Sequence, residues 1–276
     1  MRLGIFAKTF PGTDAATVLA AVRHAGYETT QFNMACLGLP AMPDAIDPAV
    51  AASVAAAARA EGVGLCAVSG TYNMIHPDPA VRARGLARLA VLAASCAALG
   101  APLVTLCTGT RDPDDQWRAH PGNDAPDAWA DLRAEMDKAA AIAEAHGIDL
   151  GIEPELANVV NSAAKARRLI DETGSKRLRI VLDPANLFEA APLAEQHRVV
   201  AEAIDLLADR ISMGHAKDRT ADGAFATAGT GVLDYPFYLR RLKAAGFDGP
   251  LVTHGLEAGE AAGVAAFLRR ALGAAS

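Results

Sequence analysis

Four residues in the second half of the chain carry side chains that together could hold a divalent cation and move protons. They are Glu153 in GIEPE, Asp183 in VLDPAN, His215 in GHAKD and His254 in VTHGLE. Their separations of 30, 32 and 39 residues each approach one strand-plus-helix unit of an alternating α/β chain. Each also directly follows a short apolar run, so strands lying side by side would aim all four into one mouth. Two carboxylates and two imidazoles converging on a point are mutually costly without a cation, and this N/O donor set suits Mn²⁺, Zn²⁺, Fe²⁺ or Co²⁺. Alone, each means less: a strand-end carboxylate usually caps the next helix, and a lone histidine is more often structural.

The elements that must position these groups are legible as a period. Apolar runs at 3–7, 28–32, 63–69, 103–107, 148–152, 178–182, 210–214 and 250–253 alternate with Ala- and Leu-rich segments of helical period near 14–25, 48–61, 79–99, 126–146, 161–173, 194–208, 235–245 and 258–271. Many of these helices should close on a glycine, among them Gly62, Gly100, Gly147 and Gly174. An open doubly wound sheet shares the alternation. However, 276 residues over eight units give an even spacing of about 34.5, and no early GxGxxG loop is present. The expected fold is α/β, a (β/α)8 TIM barrel forming a single domain over residues 1–276. Longer loops at 70–78, 108–125 and 217–234 follow the third, fourth and seventh runs. They therefore belong to the C-terminal face, where such barrels place their sites.

Composition narrows the partners. Lys and Arg total 26 against 32 Asp and Glu, a net charge of −6 with no basic block, which argues against nucleic acid. The longest apolar stretch, 50–60, contains Ser53 and Arg59 and falls short of the roughly 20 residues that span a bilayer, so no membrane span is expected. The first residues reach Lys8 without the pattern of a secretory signal, so a cytoplasmic location is expected. Cys36, Cys66, Cys96 and Cys107 form no CxxC pair and are expected to be buried free thiols. The expected partner is a small molecule, and the sequence is compatible with a homo-oligomer.

Glu153, the Asp183-Pro184-Ala185-Asn186 turn, His215-Ala216-Lys217-Asp218 and Gly229-Thr230-Gly231-Val232-Leu233-Asp234 together resemble the sugar phosphate isomerase/epimerase superfamily of xylose-isomerase-like TIM barrels. That superfamily also includes ketose 3-epimerases, inosose dehydratase and the endonuclease IV type of DNA repair enzyme. The resemblance spans nearly the whole chain, with its specific motifs in 148–257. It implies that Glu153, Asp183 and His215 hold one divalent metal, manganese first and Zn, Co, Fe or Mg as alternatives, and that Glu153 also moves protons. Many relatives end the eighth strand in a second glutamate, whereas here the position is His254. Two carboxylates and two neutral imidazoles would leave the loaded site neutral, and His254 is expected as a ligand or second proton carrier. Glu257, three residues on, is a weaker candidate whose simpler reading is a helix cap. A trinuclear zinc site of the repair type lacks its ligands, since Asn186 and Asp222-Gly223-Ala224 stand where histidines are needed.

The implied function is a divalent-metal-dependent isomerase or epimerase of a small sugar or sugar-like polyhydroxy carbonyl compound. Glu153 would remove the proton beside a metal-held carbonyl and His254 would return it. Loss of a β-hydroxyl from the same enediolate would instead make a dehydratase or lyase acting on a keto-sugar or inosose. A non-catalytic metal- and sugar-binding protein is the alternative from another class. His76, Asn186 and Lys217 are expected to touch substrate, as are Trp117 and His120 from a lid at 108–125 that also carries Arg111 and Asn123. Asp218 would pair with Lys217, and Phe6, Lys8 and Asn33 would line the pocket.

Overall fold

Eight parallel strands close on themselves in this structure, a computed structural model that describes residues 1–275. In chain order they are β1 (Arg2–Phe6), β2 (Thr29–Phe32), β3 (Gly64–Ser69), β4 (Leu103–Leu106), β5 (Asp149–Ile152), β6 (Leu178–Leu182), β7 (Ile211–Ala216) and, after a small hairpin of β8 (Asp218–Arg219) and β9 (Phe225–Ala226), β10 (Pro250–Thr253). β1 pairs with both β2 and β10, which completes the (β/α)8 barrel. Eight helices surround it: α1 (Ala15–His24), α2 (Pro48–Glu61), α3 (Pro79–Leu99), α4 (Pro126–His146), α5 (Ala163–Thr173), α6 (Leu193–Leu207), α7 (Tyr235–Ala244) and α8 (Ala261–Ala274).

The helix boundaries have local causes. Asp47 and Asp78 accept the backbone N–H of Ala49 and Ala80, each with a proline opening the helix behind it. Helices α2 to α5 stop at Gly62, Gly100, Gly147 and Gly174, all left-handed with φ between 64° and 74°. That conformation costs a residue with a Cβ and costs glycine nothing.

Inside the barrel, period two sets the layers. Cys66, Ala67, Leu103, Val181, Met213 and Val252 pack into an apolar plug. Two glycines make room for it: a Cβ on Gly151 would lie 2.8 Å from Val181 Cγ2, and one on Gly4 would lie 3.0 Å from Val252 Cγ2. Two residues beyond members of this layer, on the same strands, come Thr105 after Leu103, Glu153 after Gly151, Asp183 after Val181, His215 after Met213 and His254 after Val252. Successive inward side chains along a strand are two apart, so the plug seals the barrel beneath the polar layer.

Two loops differ from expectation. β7 runs two residues further than the apolar run, because polar His215 still faces inward, and the 217–234 loop contains an antiparallel hairpin of β8 (Asp218–Arg219) with β9 (Phe225–Ala226). Asp218 does not pair with Lys217. Its Oδ2 accepts Gly229 N–H (3.0 Å) and Gly231 N–H (3.1 Å), and its Oδ1 accepts Leu233 N–H (2.9 Å), so it folds the glycine-rich loop instead. All four cysteines are free and buried. Among the described residues no helix is long and apolar enough to cross a membrane.

Candidate functional site

Glu153, Asp183, His215 and His254 meet at the C-terminal end of the barrel, with one donor atom from each lying within 4.8 Å of all the others. His215 Nδ1 is 3.0 Å from Glu153 Oε1, and His254 Nε2 is 3.1 Å from Asp183 Oδ2. The two imidazole rings stand 4.4 Å apart, tilted by 50°. Adjacent ligands about 2.1 Å from a shared cation are separated by about 3.0 Å, so the donors already have the spacing of a coordination shell. Their chemistry agrees, since Asp183 is fully buried and a second carboxylate beside it requires more positive charge than one lysine provides. The residues present therefore fit a divalent metal.

The surrounding contacts fix each donor. Asp183 Oδ1 accepts Ala185 N–H (2.9 Å), while Oδ2 faces Lys217 Nζ (3.2 Å) as well as His254. Burial alone would raise the Asp183 carboxyl, but Lys217 and His254 more than offset it and hold it well below the usual carboxylate range. Lys217 Nζ also donates to Asn186 Oδ1 (3.0 Å), and Asn186 Nδ2 donates to Glu153 Oε1 (3.0 Å). Glu153 Oε2 has no partner among the described residues. Burial, followed by the nearby His215 and Lys217, pushes His254 down, which favours the neutral imidazole that a metal requires.

Gln31 and Thr105 form a layer behind His215. Gln31 Nε2 donates to Thr105 Oγ1 (3.2 Å), which turns Gln31 Oε1 toward His215 Nε2 at 3.0 Å. With its proton on Nε2, His215 presents an Nδ1 lone pair to the cluster. Gln31→Leu is expected to weaken divalent-metal binding by about 10- to 100-fold. Titration calorimetry with Mn²⁺ checks this, and unchanged affinity would show that the amide does not orient the ring.

The cluster lies at a cavity of about 480 Å³ whose walls include Phe6, Lys8, Asn33, Trp117, Glu155, Lys217 and Phe225. Phe6, Lys8 and Asn33 thus line it as the strand-end pattern indicates. Trp117, 52% exposed, stands at its edge. Phe225 of the hairpin, equally exposed, takes Lys217 Nζ over its ring at 3.7 Å and the Arg219 guanidinium at 4.1 Å. His76 lies outside this cavity, its Nδ1 accepting Asp78 N–H (3.0 Å) and its Nε2 3.0 Å from Pro113 O. His120 is exposed, also outside the cavity, and caps the 3-10 turn Pro121–Asp124 by accepting Gly122 N–H. Glu257 heads the turn before α8, where its N–H donates to Glu260 Oε2 (2.8 Å).

Glu155, like Gln31 and Thr105, lines the cavity without a mark in the sequence spacing, because the turn after Pro154 decides where it points. Burial first, and the negative charge of Glu153 second, push its carboxyl up to about 7 against the pull of Lys217. The unfolded chain ionises Glu155 near its ordinary value of 4.5. Folding is therefore penalised progressively as pH rises between these values, and not below them. Glu155→Gln is expected to raise the Tm of the metal-free protein at about pH 8 and leave it unchanged at about pH 4. Thermal melts at both pH values check this, and equal shifts would remove the carboxyl as the cause.

A family profile described as xylose isomerase-like TIM barrel matches residues 19–271. No curated protein matches the sequence. Among solved structures, an L-ribulose 3-epimerase shares 22% identity at a TM-score of 0.79, covering 99% of this chain and 95% of its own. The 3-keto-D-glucoside 4-epimerase of E. coli shares 18% at 0.77, covering 98% and 99%. The D-psicose 3-epimerase of Clostridium cellulolyticum H10, solved with D-tagatose, shares 17% at 0.76, covering 99% of each chain. At these identities the likeness establishes the fold.

Proposed function

Because the chain belongs to the xylose isomerase-like TIM barrel family, we propose that it is a divalent-metal-dependent isomerase or epimerase of a small polyhydroxy carbonyl compound. The observation that carries this reading is the convergence of Glu153, Asp183, His215 and His254 within 4.8 Å at an open polar cavity. The similar structures named above are epimerases of sugars, which supports the substrate class. The same four residues would hold the metal, with manganese first among the ions such donors accept. When bound, the metal supplies a Lewis acid that polarises the substrate carbonyl and acidifies the neighbouring C–H.

The chain's own groups carry the proton. Glu153 is the base, and Oε2 is the reacting atom, because Oε1 accepts from Asn186 Nδ2 and stands 3.0 Å from His215 Nδ1, on the side where the metal would lie. The Asn186 contact fixes the carboxylate while Oε2 stays free. His254 is the second proton carrier: Nε2 meets Asp183, and Nδ1 has no partner among the described residues. The proton-carrier role applies where Nε2 stays on Asp183 with its own proton and leaves the Nδ1 lone pair open; with Nε2 on the metal, His254 would serve as the fourth ligand instead. Lys217 and Trp117 are assigned to substrate, with the Lys217 ammonium near enough to Asp183 to serve both, whereas buried Asn186, its amide ends bonded to Glu153 and Lys217, would act on substrate through those two. The substrate roles of His76 and His120 rest on their loops alone: His76 lines the space beside the metal-site cavity, whereas His120 lines neither space. The four free, buried thiols support a reducing compartment, the cytoplasm.

Incubating a ketose panel with the Mn²⁺-loaded protein in D₂O tests the reading. Deuterium entering the carbon next to the carbonyl, with a new epimer or isomer, is the expected result. Loss of water from the substrate would identify a lyase instead, and a panel without exchange or turnover would sink the proposal.

A further inference from the structure

A second cavity adjoins the first. It measures about 620 Å³ and shares Ala41, Thr71 and Gln116 with the metal-site cavity, so those side chains form the common boundary. We infer that the substrate of the proposed reaction carries a second, uncharged polyhydroxylated unit, a glycosyl group, which lies in this neighbouring space. The inference rests on the function proposed above and specifies its substrate class.

The walls of this cavity are built in advance. Buried Asn73 uses both ends of its amide: Nδ2 donates to Thr110 O (2.8 Å), and Oδ1 accepts Thr110 N–H (3.0 Å) and Ile75 N–H (3.3 Å). The close approach requires Gly109, where a Cβ would fall 2.1 Å from Asn73 Oδ1. On the other side of the loop, buried Asn123 accepts Arg111 N–H (2.8 Å) and donates to Ala157 O (2.9 Å). The 108–125 segment is thus clamped to its neighbours by buried amides rather than hinged as a lid, and it keeps the side cavity open. The floor has a similar device: the Tyr72 ring lies against α3 where a Cβ on Gly85 would come within 2.1 Å of it. Preformed space of this size costs little to fill, because the ordering has already been done in folding.

Charge selects the kind of group. Arg88 is held by Asp44 (2.7 and 3.3 Å), and Asp112 by Arg118 (3.0 Å) and by the N–H groups of Asp114 and Asp115. Among the described residues that leaves the Arg84 guanidinium, the Asp114 carboxylate and the Gln116 amide without side-chain partners. One free cation and one free anion lining the same space give no concentrated positive field for a phosphate. Donors and acceptors in equal supply are what hydroxyl groups need, since each hydroxyl both gives and receives a hydrogen bond.

Calorimetry and deuterium exchange with the Mn²⁺-loaded protein test this, using D-fructose, its glucosylated forms turanose, maltulose and palatinose, and D-fructose 6-phosphate. At least one glucosylated ketose is expected to bind about tenfold tighter than D-fructose, with the phosphate ester gaining nothing. Val81→Trp, which fills the side cavity, and Arg84→Ala, an exposed change that leaves packing alone, should each bring that ratio toward one while D-fructose binding stays as it was. If D-fructose exchanges deuterium and no glucosylated form binds more tightly, the inference falls and the proposed function stands. A tenfold gain for the phosphate ester, or a ratio that both variants leave intact, also overturns it. Absence of exchange with every compound overturns the function and this inference together.

Discussion

Glu153→Gln is expected to lower deuterium exchange by about 10²- to 10⁴-fold at saturating Mn²⁺, the usual contribution of a positioned general base. The substitution isolates the base because the amide oxygen can keep the place of Oε1, still accepting from Asn186 Nδ2 at about the observed 3.0 Å. What changes is Oε2, the atom without a protein partner, which becomes an NH₂ group that takes no proton. Removing one negative charge also weakens the metal, so the comparison is made at saturation, with metal content measured alongside. A variant that keeps its metal and its fold but loses exchange supports the assignment. A variant that exchanges at the wild-type rate would move the base to another group at the cavity, with His254 next in line.

The second large effect concerns stability. Lys217→Met is expected to destabilise the metal-free protein by about 3–5 kcal/mol at neutral pH, the range for stranding one partner of a buried ion pair. Lys217 is 7% exposed, and its ammonium lies 3.2 Å from a fully buried carboxylate. Its removal leaves Asp183 facing burial with only His254 and the Ala185 N–H. The sign with pH follows from the carboxyl. In the wild type Asp183 is held below its ordinary value of 3.8. Its contribution is therefore present above that value and is lost as pH falls through the folded-state value. The deficit of Lys217→Met should accordingly be greatest at neutral pH and shrink on acidification, as the stranded carboxyl takes up a proton. Urea unfolding across pH measures it, and a deficit independent of pH would mean that lost packing against Phe225, not lost charge, is the cause. Divalent metal should recover part of the loss, because binding to the folded state alone stabilises it and restores positive charge beside Asp183.

These expectations depend on features that were unequally legible. The strands that carry Glu153, Asp183, His215 and His254 are announced by apolar runs, and period two along a strand puts the next inward residue above the plug. Spacing near one βα unit then places the four at one end of a closed barrel. Lys217 and Asn186 were recognisable as neighbours of these positions because they sit two and three residues beyond His215 and Asp183 in the same turns. Gln31 was not, although it lies one alternation beyond Thr29, since its contact with His215 joins residues 184 apart across the barrel. Which inward side chains touch there depends on strand tilt and stagger, which no single strand encodes.

The sequence by itself determined the barrel, its helix stops and the convergence of the four donors. These follow from short-range rules: apolar periodicity, glycine where φ is positive, and alternation along strands. Tertiary structure alone decided that Asp183 rather than Asp218 receives Lys217, that His76 and His120 turn away from the metal-site cavity, that Glu155 lines it, and that a second polar space opens beside it. Each of these depends on the path of a loop after its strand has ended. Local composition leaves that path open, and packing between loops distant in the chain selects it.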